Sequence, residues 1–140
     1  MSIFDGIGKR WQSGRNDDER LSPVEESLRA ELGKRITATA ADPAGATAPV
    51  RYRLRWTGLV QGVGFRWTNQ NLAAANGLTG WVQNIPDGSV DMEVQGAPAS
   101  VLHHLQALHA QYAQFSSRIW LDEALNIPIV LDESKFEVHY

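Results

Sequence analysis

Apolar and polar residues alternate strictly over one segment near the middle of the chain. Every second residue there is apolar and the residues between are arginines: Val50, Tyr52, Leu54 and Trp56, separated by Arg51, Arg53 and Arg55. A period of two predicts a β-strand with one buried side and one solvent-facing side. We expect the arginines to pair with carboxylates on a neighbouring strand, for which Asp91 and Glu93 are candidates. The same arginine stripe would also suit a nucleic-acid surface.

The pattern after this strand predicts two helices and four more strands. The expected elements, in chain order, are a helix over 67–76, strands over 78–85 and 89–95 joined by a turn, a helix that starts at Pro98, and strands over 118–121 and 135–140 joined by an irregular connection. The order β-α-β-β-α-β is that of an α+β, ferredoxin-like sandwich, an antiparallel sheet with both helices on one face. The strand over 118–121 is then an extra strand beyond the minimal four.

The first 48 residues follow a different pattern. Ser22 and Glu25 have the spacing of a capping box, which predicts a short helix over 23–32 that ends at Gly33. Alanine, threonine, proline and glycine dominate segment 37–49, as is typical of a flexible linker.

Three apolar residues near the start of the chain are spaced for one helical stripe: Phe4, Ile7 and Trp11. Such a stripe suits a docking or membrane-surface segment, and a disordered tail with a few apolar residues is the simpler interpretation. We therefore expect a largely flexible N-terminal extension over 1–48, dispensable for the chemistry, and a folded domain over 49–140.

Composition narrows the class of protein. The 140 residues suffice for one domain with a hydrophobic core, and a net charge of −3 argues against nucleic acid as a general partner. The chain has no cysteine, which excludes disulfides and thiolate chemistry. Its sequence shows neither a membrane-spanning apolar run nor the apolar centre of a signal peptide, so we expect a cytoplasmic protein that does not bind membranes.

The segment from Val60 to Arg66 has the features of an anion-binding loop. It follows the first strand, contains Gly62 and Gly64, and leads into the next helix. Glycine permits backbone angles that place successive N–H groups on one side of a loop, and a helix N-terminus attracts negative charge. Arg66 adds a planar fork of donors that matches two phosphate oxygens. The simpler interpretation is a tight strand-to-helix turn.

Two motifs of the sequence resemble those of the acylphosphatase family. The first is the run from Gly58 to Arg66, and the second begins with Gly80-Trp81-Val82-Gln83-Asn84 and continues with Gly88, Val90 and Gly96 at the family's spacings. The resemblance covers about 51–140. It departs from the family at Trp56, where an aliphatic residue is usual. It implies the same α/β sandwich, with the fifth strand at or near an edge.

The resemblance also implies an activity and the residues that carry it. The reaction would be metal-independent hydrolysis of an acyl phosphate to a carboxylate and inorganic phosphate, with no cofactor. Arg66 would bind the phosphate and Asn84 would position the attacking water. The phosphate-binding residues would be Gln61, Gly62, Val63, Gly64, Phe65 and Arg66. We expect a monomer that acts on small molecules, in which the carboxylate of Tyr140 orients Arg66.

Two other functions remain open at this point. Aromatic residues on a sheet can stack on bases, as in an RNA-binding ferredoxin-like module, although the basic and aromatic run typical of such modules is missing. A non-catalytic acylphosphatase-like domain that binds a partner or a carbamoyl group would explain the extension. Three histidines of the second helix are expected to be ordinary surface residues and not metal ligands: His103, His104 and His109.

Overall fold

A computed structural model describes residues 20–41, 48–114 and 118–140. Its elements are α1 (Pro23–Ala41), β1 (Val50–Gly58), α2 (Phe65–Ala75), β2 (Thr79–Asn84), β3 (Val90–Gly96), α3 (Pro98–Ala113), β4 (Ile119–Ile127) and β5 (Phe136–His139). The predicted α+β, ferredoxin-like order is therefore confirmed. The possible helical stripe at Phe4, Ile7 and Trp11 lies outside the described residues. None of the helices in the described ranges has the length and hydropathy needed to cross a membrane.

The five strands form one sheet in the order β4-β1-β3-β2-β5. Three of the four strand pairs are antiparallel, whereas β2 and β5 run parallel. This corrects the expectation of a fully antiparallel sheet. It also corrects which strand is extra, since β4 pairs with β1 as the fourth strand of the ferredoxin-like unit and β5 is the addition at the opposite edge. Strand β4 extends to Ile127, through part of the segment expected to be irregular.

The two sides of β1 behave differently. Its apolar residues Tyr52, Leu54 and Trp56 are buried in the core beneath the helices. Its arginines lie on the other side and pair with β3, as predicted from the alternation. Arg55 donates to Asp91 at 3.0 Å, and Arg53 donates to the same carboxylate at 3.0 Å.

The helix of the N-terminal extension is longer than the sequence predicted. It continues through Gly33 to Ala41, so both the expected end of the helix and the start of the expected linker are wrong. Leu28 and Leu32 enter the same hydrophobic core as the sheet residues, with 5% and 0% of their surface exposed. The buried residues of α1 all precede Gly33, and once those turns have formed each further residue adds a backbone hydrogen bond, so the helix continues past the glycine.

Polar contacts also fix α1 to the sheet and to α3. The Glu25 carboxylate, which is fully buried, accepts hydrogen bonds from Arg29 at 2.9 Å and from His109 at 2.7 Å. The Tyr52 hydroxyl donates to Glu31, and burial together with this bond raises the pKa of Tyr52 to about 12. A buried carboxylate needs such partners because an unpaired buried charge is strongly unfavourable.

The histidines of α3 are not all surface residues, which corrects the sequence expectation. His104 is 1% exposed, and its Nε2 lies 2.8 Å from Asn69 Oδ1 in α2. Asn69 in turn donates from Nδ2 to the Phe65 carbonyl oxygen at 2.9 Å, so its Oδ1 is the acceptor and His104 carries its proton on Nε2. Burial and the nearby His103 lower the pKa of His104 to about 4. This neutral ring links α3 to the first turn of α2.

Leu32→Ala tests whether α1 is part of the folded core. We expect the free energy of unfolding to fall by about 2–5 kcal/mol, because the substitution leaves a cavity at a fully buried site. Leu131→Ala is the matched control, since Leu131 is 90% exposed and should change stability by less than about 0.5 kcal/mol. Urea unfolding measures both variants. Equal, small effects would show that α1 does not dock in solution.

The protonation of His104 predicts a loss of stability in acid. Its ordinary pKa of 6.5 falls to about 4 in the folded state, so the unfolded chain binds the proton first as pH drops. The contribution of neutral His104 to the free energy of unfolding is complete above pH 6.5. It is lost as the pH falls toward 4, by about 3 kcal/mol in total. His104→Gln keeps an amide that can donate to Asn69, so its stability should depend less on pH in this window. His103→Gln, at the exposed neighbour, removes only the smaller cause of the shift and should keep most of the wild-type pH dependence in urea unfolding between pH 7 and 4.

Candidate functional site

The loop between β1 and α2 is fixed to the protein through alternate residues. Gln61 Nε2 donates to the carbonyl oxygens of Ile85 and Ser89, both at 2.8 Å, and so binds the loop to the β2–β3 turn. The Val63 carbonyl accepts a hydrogen bond from the Tyr112 hydroxyl at 3.2 Å. These anchors leave little freedom to the residues between them.

Phe65 supplies the apolar anchor of the same loop. Its side chain is 1% exposed and lies between two aromatic rings of the core. Its centroid is 5.7 Å from that of Trp56, edge to face, and 5.5 Å from that of Tyr112. Trp56, where the sequence departs from the family pattern, thus packs directly beneath the start of α2. Its ring supports the end of the loop through the contact with Phe65.

The two glycines between the anchors have the backbone conformation that the loop requires. Gly62 has φ of 77° and Gly64 has φ of 74°, both in the left-handed region that other residues rarely adopt. A side chain at either position would meet no atom within 4 Å, so the conformation and not the space demands glycine. Gly64 caps α2 without a side-chain hydrogen bond. The first N–H groups of that helix are therefore available to an anion.

Arg66 lies in the first turn of α2, beside the end of β5. Its Nη1 donates to the His139 carbonyl at 3.3 Å, and its guanidinium carbon lies 4.9 Å from the centre of the Tyr140 ring. Within the described residues, the Tyr140 carboxylate forms no ion pair with Arg66. The expected orienting contact is thus made by a carbonyl and an aromatic ring instead. Both partners are neutral, so the positive charge of Arg66 is not cancelled.

Asn84 is the last residue of β2, next to the turn that Gln61 holds. Its Oδ1 is buried and has no hydrogen-bond partner among the described residues. An unsatisfied buried acceptor costs about 1–3 kcal/mol, so such a group in a native fold calls for a functional explanation. Asn84 is also one of the residues that line a cavity.

A cavity of about 220 Å³ joins these elements. Ten residues line it: Val60, Gly62, Gly64, Phe65, Arg66, Trp67, Gln70, Asn84, Val138 and Tyr140. The structure thus brings five of the seven residues that the sequence predicted for the site to one place. The other two, Gln61 and Val63, hold the loop from outside and are not among the residues that line the cavity.

Sequence reasoning missed three of the ten lining residues: Trp67, Gln70 and Val138. Val138 and Tyr140 reach the cavity because β5 runs parallel to β2, with Val82 opposite Val138 and Gln83 opposite His139. No local signal in the sequence indicates that pairing. Trp67 did carry a signal, since a large aromatic residue directly follows Arg66 at a helix start.

No metal centre is found in the described part of the chain, where no three His, Asp or Glu side chains are grouped for coordination. The donors present suit an anion instead. They are the guanidinium, the helix N-terminus and the loop amides, none of which prefers a cation.

Comparison with known proteins agrees with this geometry. The family model for acylphosphatase matches residues 52–138. An acylphosphatase of Clostridium beijerinckii is 40% identical over 94 residues, which cover 65% of this chain and 99% of that protein. An acylphosphatase of Lactobacillus johnsonii is 51% identical over 57 residues, 41% of this chain, and the match spans 63% of that relative's length.

A solved structure is similar over the same region. The crystal structure of acylphosphatase from Bacillus subtilis superposes with a TM-score of 0.54 at 25% sequence identity, and covers 65% of this chain and 99% of that chain. The matched region begins after α1, which the structure nevertheless packs into the core. The chain belongs to the acylphosphatase family.

Proposed function

We propose that the protein hydrolyses acyl phosphates to a carboxylate and inorganic phosphate, without a metal ion or cofactor. The observation that carries the proposal is the shared cavity. One wall offers an anchored glycine loop, a helix N-terminus and Arg66, and the other offers the side chain of Asn84. The donors of the first wall suit a phosphoryl group, and the Asn84 side chain on the second wall suits a water molecule.

The phosphoryl group is held by fixed donors. The amides along Gly62 to Arg66 and the Arg66 guanidinium spread its charge, and their geometry exists before substrate arrives because the loop is anchored on both sides. Preorganised donors of this kind cost no rearrangement at the moment of reaction, which is why they stabilise a transition state effectively. A phosphoryl transfer needs mainly such positioning and charge stabilisation.

Asn84 positions the attacking water. The side-chain amide of Asn84, which can both donate and accept, hydrogen-bonds the water and holds its oxygen in line with phosphorus. The new P–O bond forms as the bond between phosphorus and the acyl oxygen breaks, and the carboxylate leaves with the electron pair. The proton that the water loses passes to a phosphate oxygen or to solvent. No strong base is required, because a carboxylate is a good leaving group.

An RNA-binding role has less support. The sheet face without helices is occupied by ion pairs between β1 and β3. Its Trp81 is already covered, with the His139 ring stacked at 5.4 Å and the Arg53 guanidinium 5.3 Å from the ring centre. A base would have to displace these contacts in order to stack.

The activity itself is tested with purified full-length protein and benzoyl phosphate. We expect hydrolysis that is unchanged by a chelator, since all the proposed donors are protein groups. Release of inorganic phosphate is the measurement. The absence of turnover, or its loss with the chelator, would contradict the proposed mechanism.

Arg66→Ala and Asn84→Ala separate the two roles. Arg66→Ala should weaken inhibition by inorganic phosphate and lower kcat. Asn84→Ala should lower kcat by roughly 10²–10³, the usual effect of losing one preorganised group, and leave phosphate inhibition nearly unchanged. Asn71→Ala, an exposed asparagine of α2 outside the cavity, is the control and should retain wild-type kinetics. Near-normal activity of Asn84→Ala would remove it from the mechanism.

A further inference from the structure

Trp67 is the least explained residue of the cavity. It is 68% exposed although it sits in an ordered helix, immediately after Arg66. The buried side of α2 carries Phe65, Asn69 and Ala73, and Trp67 lies about 200° around the helix from Phe65. The residue therefore does not serve the packing of α2 against the sheet.

The cavity provides more room than a phosphoryl group needs. On a scale of about 30 Å³ for a water molecule in the liquid, a volume of about 220 Å³ accepts several further non-hydrogen atoms. Trp67 and Val138 lie among its walls, as does Tyr140, whose ring already faces Arg66. Large aromatic side chains with one free face are the usual means of holding a flat apolar group.

The charge of the lining sets the chemistry of that group. Among the described residues that line the cavity, Arg66 alone carries a positive charge. Once Arg66 has bound the phosphoryl group, no cation of the lining remains to neutralise a second anion. Burying a charged acyl group there would therefore cost free energy. A neutral acyl group avoids that cost and gains from contact with the indole ring.

We propose that Trp67 is the acyl-binding platform of the site and that the substrates are acyl phosphates with an uncharged, flat, apolar acyl group. This inference rests on the proposed function and specifies its substrate class. Trp67 contacts the acyl group and does not take part in the bond exchange at phosphorus. Its effect is therefore on the choice of substrate.

The test compares kcat/KM for benzoyl phosphate and acetyl phosphate in the full-length protein. Benzoyl phosphate presents an aromatic acyl group, whereas acetyl phosphate is too small to cover the indole ring. The wild type should favour benzoyl phosphate. Trp67→Ala should lower the ratio of the two kcat/KM values about three- to tenfold, as expected for the loss of one aromatic contact. Trp67→Phe should retain most of the preference.

Leu131→Ala is the matched control, because Leu131 is an exposed apolar residue that does not line the cavity, and it should leave the ratio unchanged. Inhibition by inorganic phosphate, which has no acyl group, measures the affinity of the phosphate-binding part of the site alone. A Trp67→Ala protein with an unchanged ratio overturns the proposal, and so does one whose affinities for phosphate and benzoyl phosphate fall equally. Hydrolysis of neither substrate by the wild type would instead overturn the proposed function, and this inference with it.

Discussion

The anchoring of the β1–α2 loop is the constraint on which the rest of the site depends. Backbone N–H groups bind an anion well only if they already point toward its site before it arrives. Glycine residues work against this, because an unrestrained glycine adopts many backbone conformations. The two hydrogen bonds from Gln61 to the β2–β3 turn remove much of that freedom. They also set the distance between the loop and Asn84, because the same turn follows that residue. One glutamine side chain thus aligns the phosphate site with the proposed water site.

The support of this loop continues through the whole core. Phe65 packs on Trp56, and the His109 ring, whose centroid lies 6.0 Å from that of Trp56, is hydrogen-bonded to the buried Glu25 of α1. A second route runs from His104 through Asn69 to the Phe65 carbonyl. The N-terminal helix is therefore in physical contact with the layer that holds the β1–α2 loop. The N-terminal extension and the cavity thus share one hydrophobic core. A substitution that weakens the packing of α1 should therefore also disturb the β1–α2 loop, through the aromatic contacts between them.

Local chemistry explains what could be read from the sequence. The alternation in β1, the glycine pair before Arg66 and the capping box at Ser22 each depend on residues close in the chain, and the elements they predict are present. The parallel pairing of β5 and the length of α1 depend on partners far away, so no local pattern reveals them. The burial of His104 has the same cause, since a lone histidine on a helix carries no mark of the asparagine that faces it from α2.

The contacts of the arginines distinguish Arg66, the proposed phosphate ligand, from the arginines of β1. On the far side of the sheet, Arg51 is 2% exposed and reaches Glu93 at 2.8 Å and Glu133 at 2.7 Å, and its neighbours on β1 likewise face carboxylates. These charges are neutralised within the protein and attract no external anion. Arg66 instead contacts a carbonyl oxygen and an aromatic ring, which orient the guanidinium and leave its charge in place. Because an ion-paired arginine would have to lose its partner before binding phosphate, neutral orienting contacts give the stronger anion site.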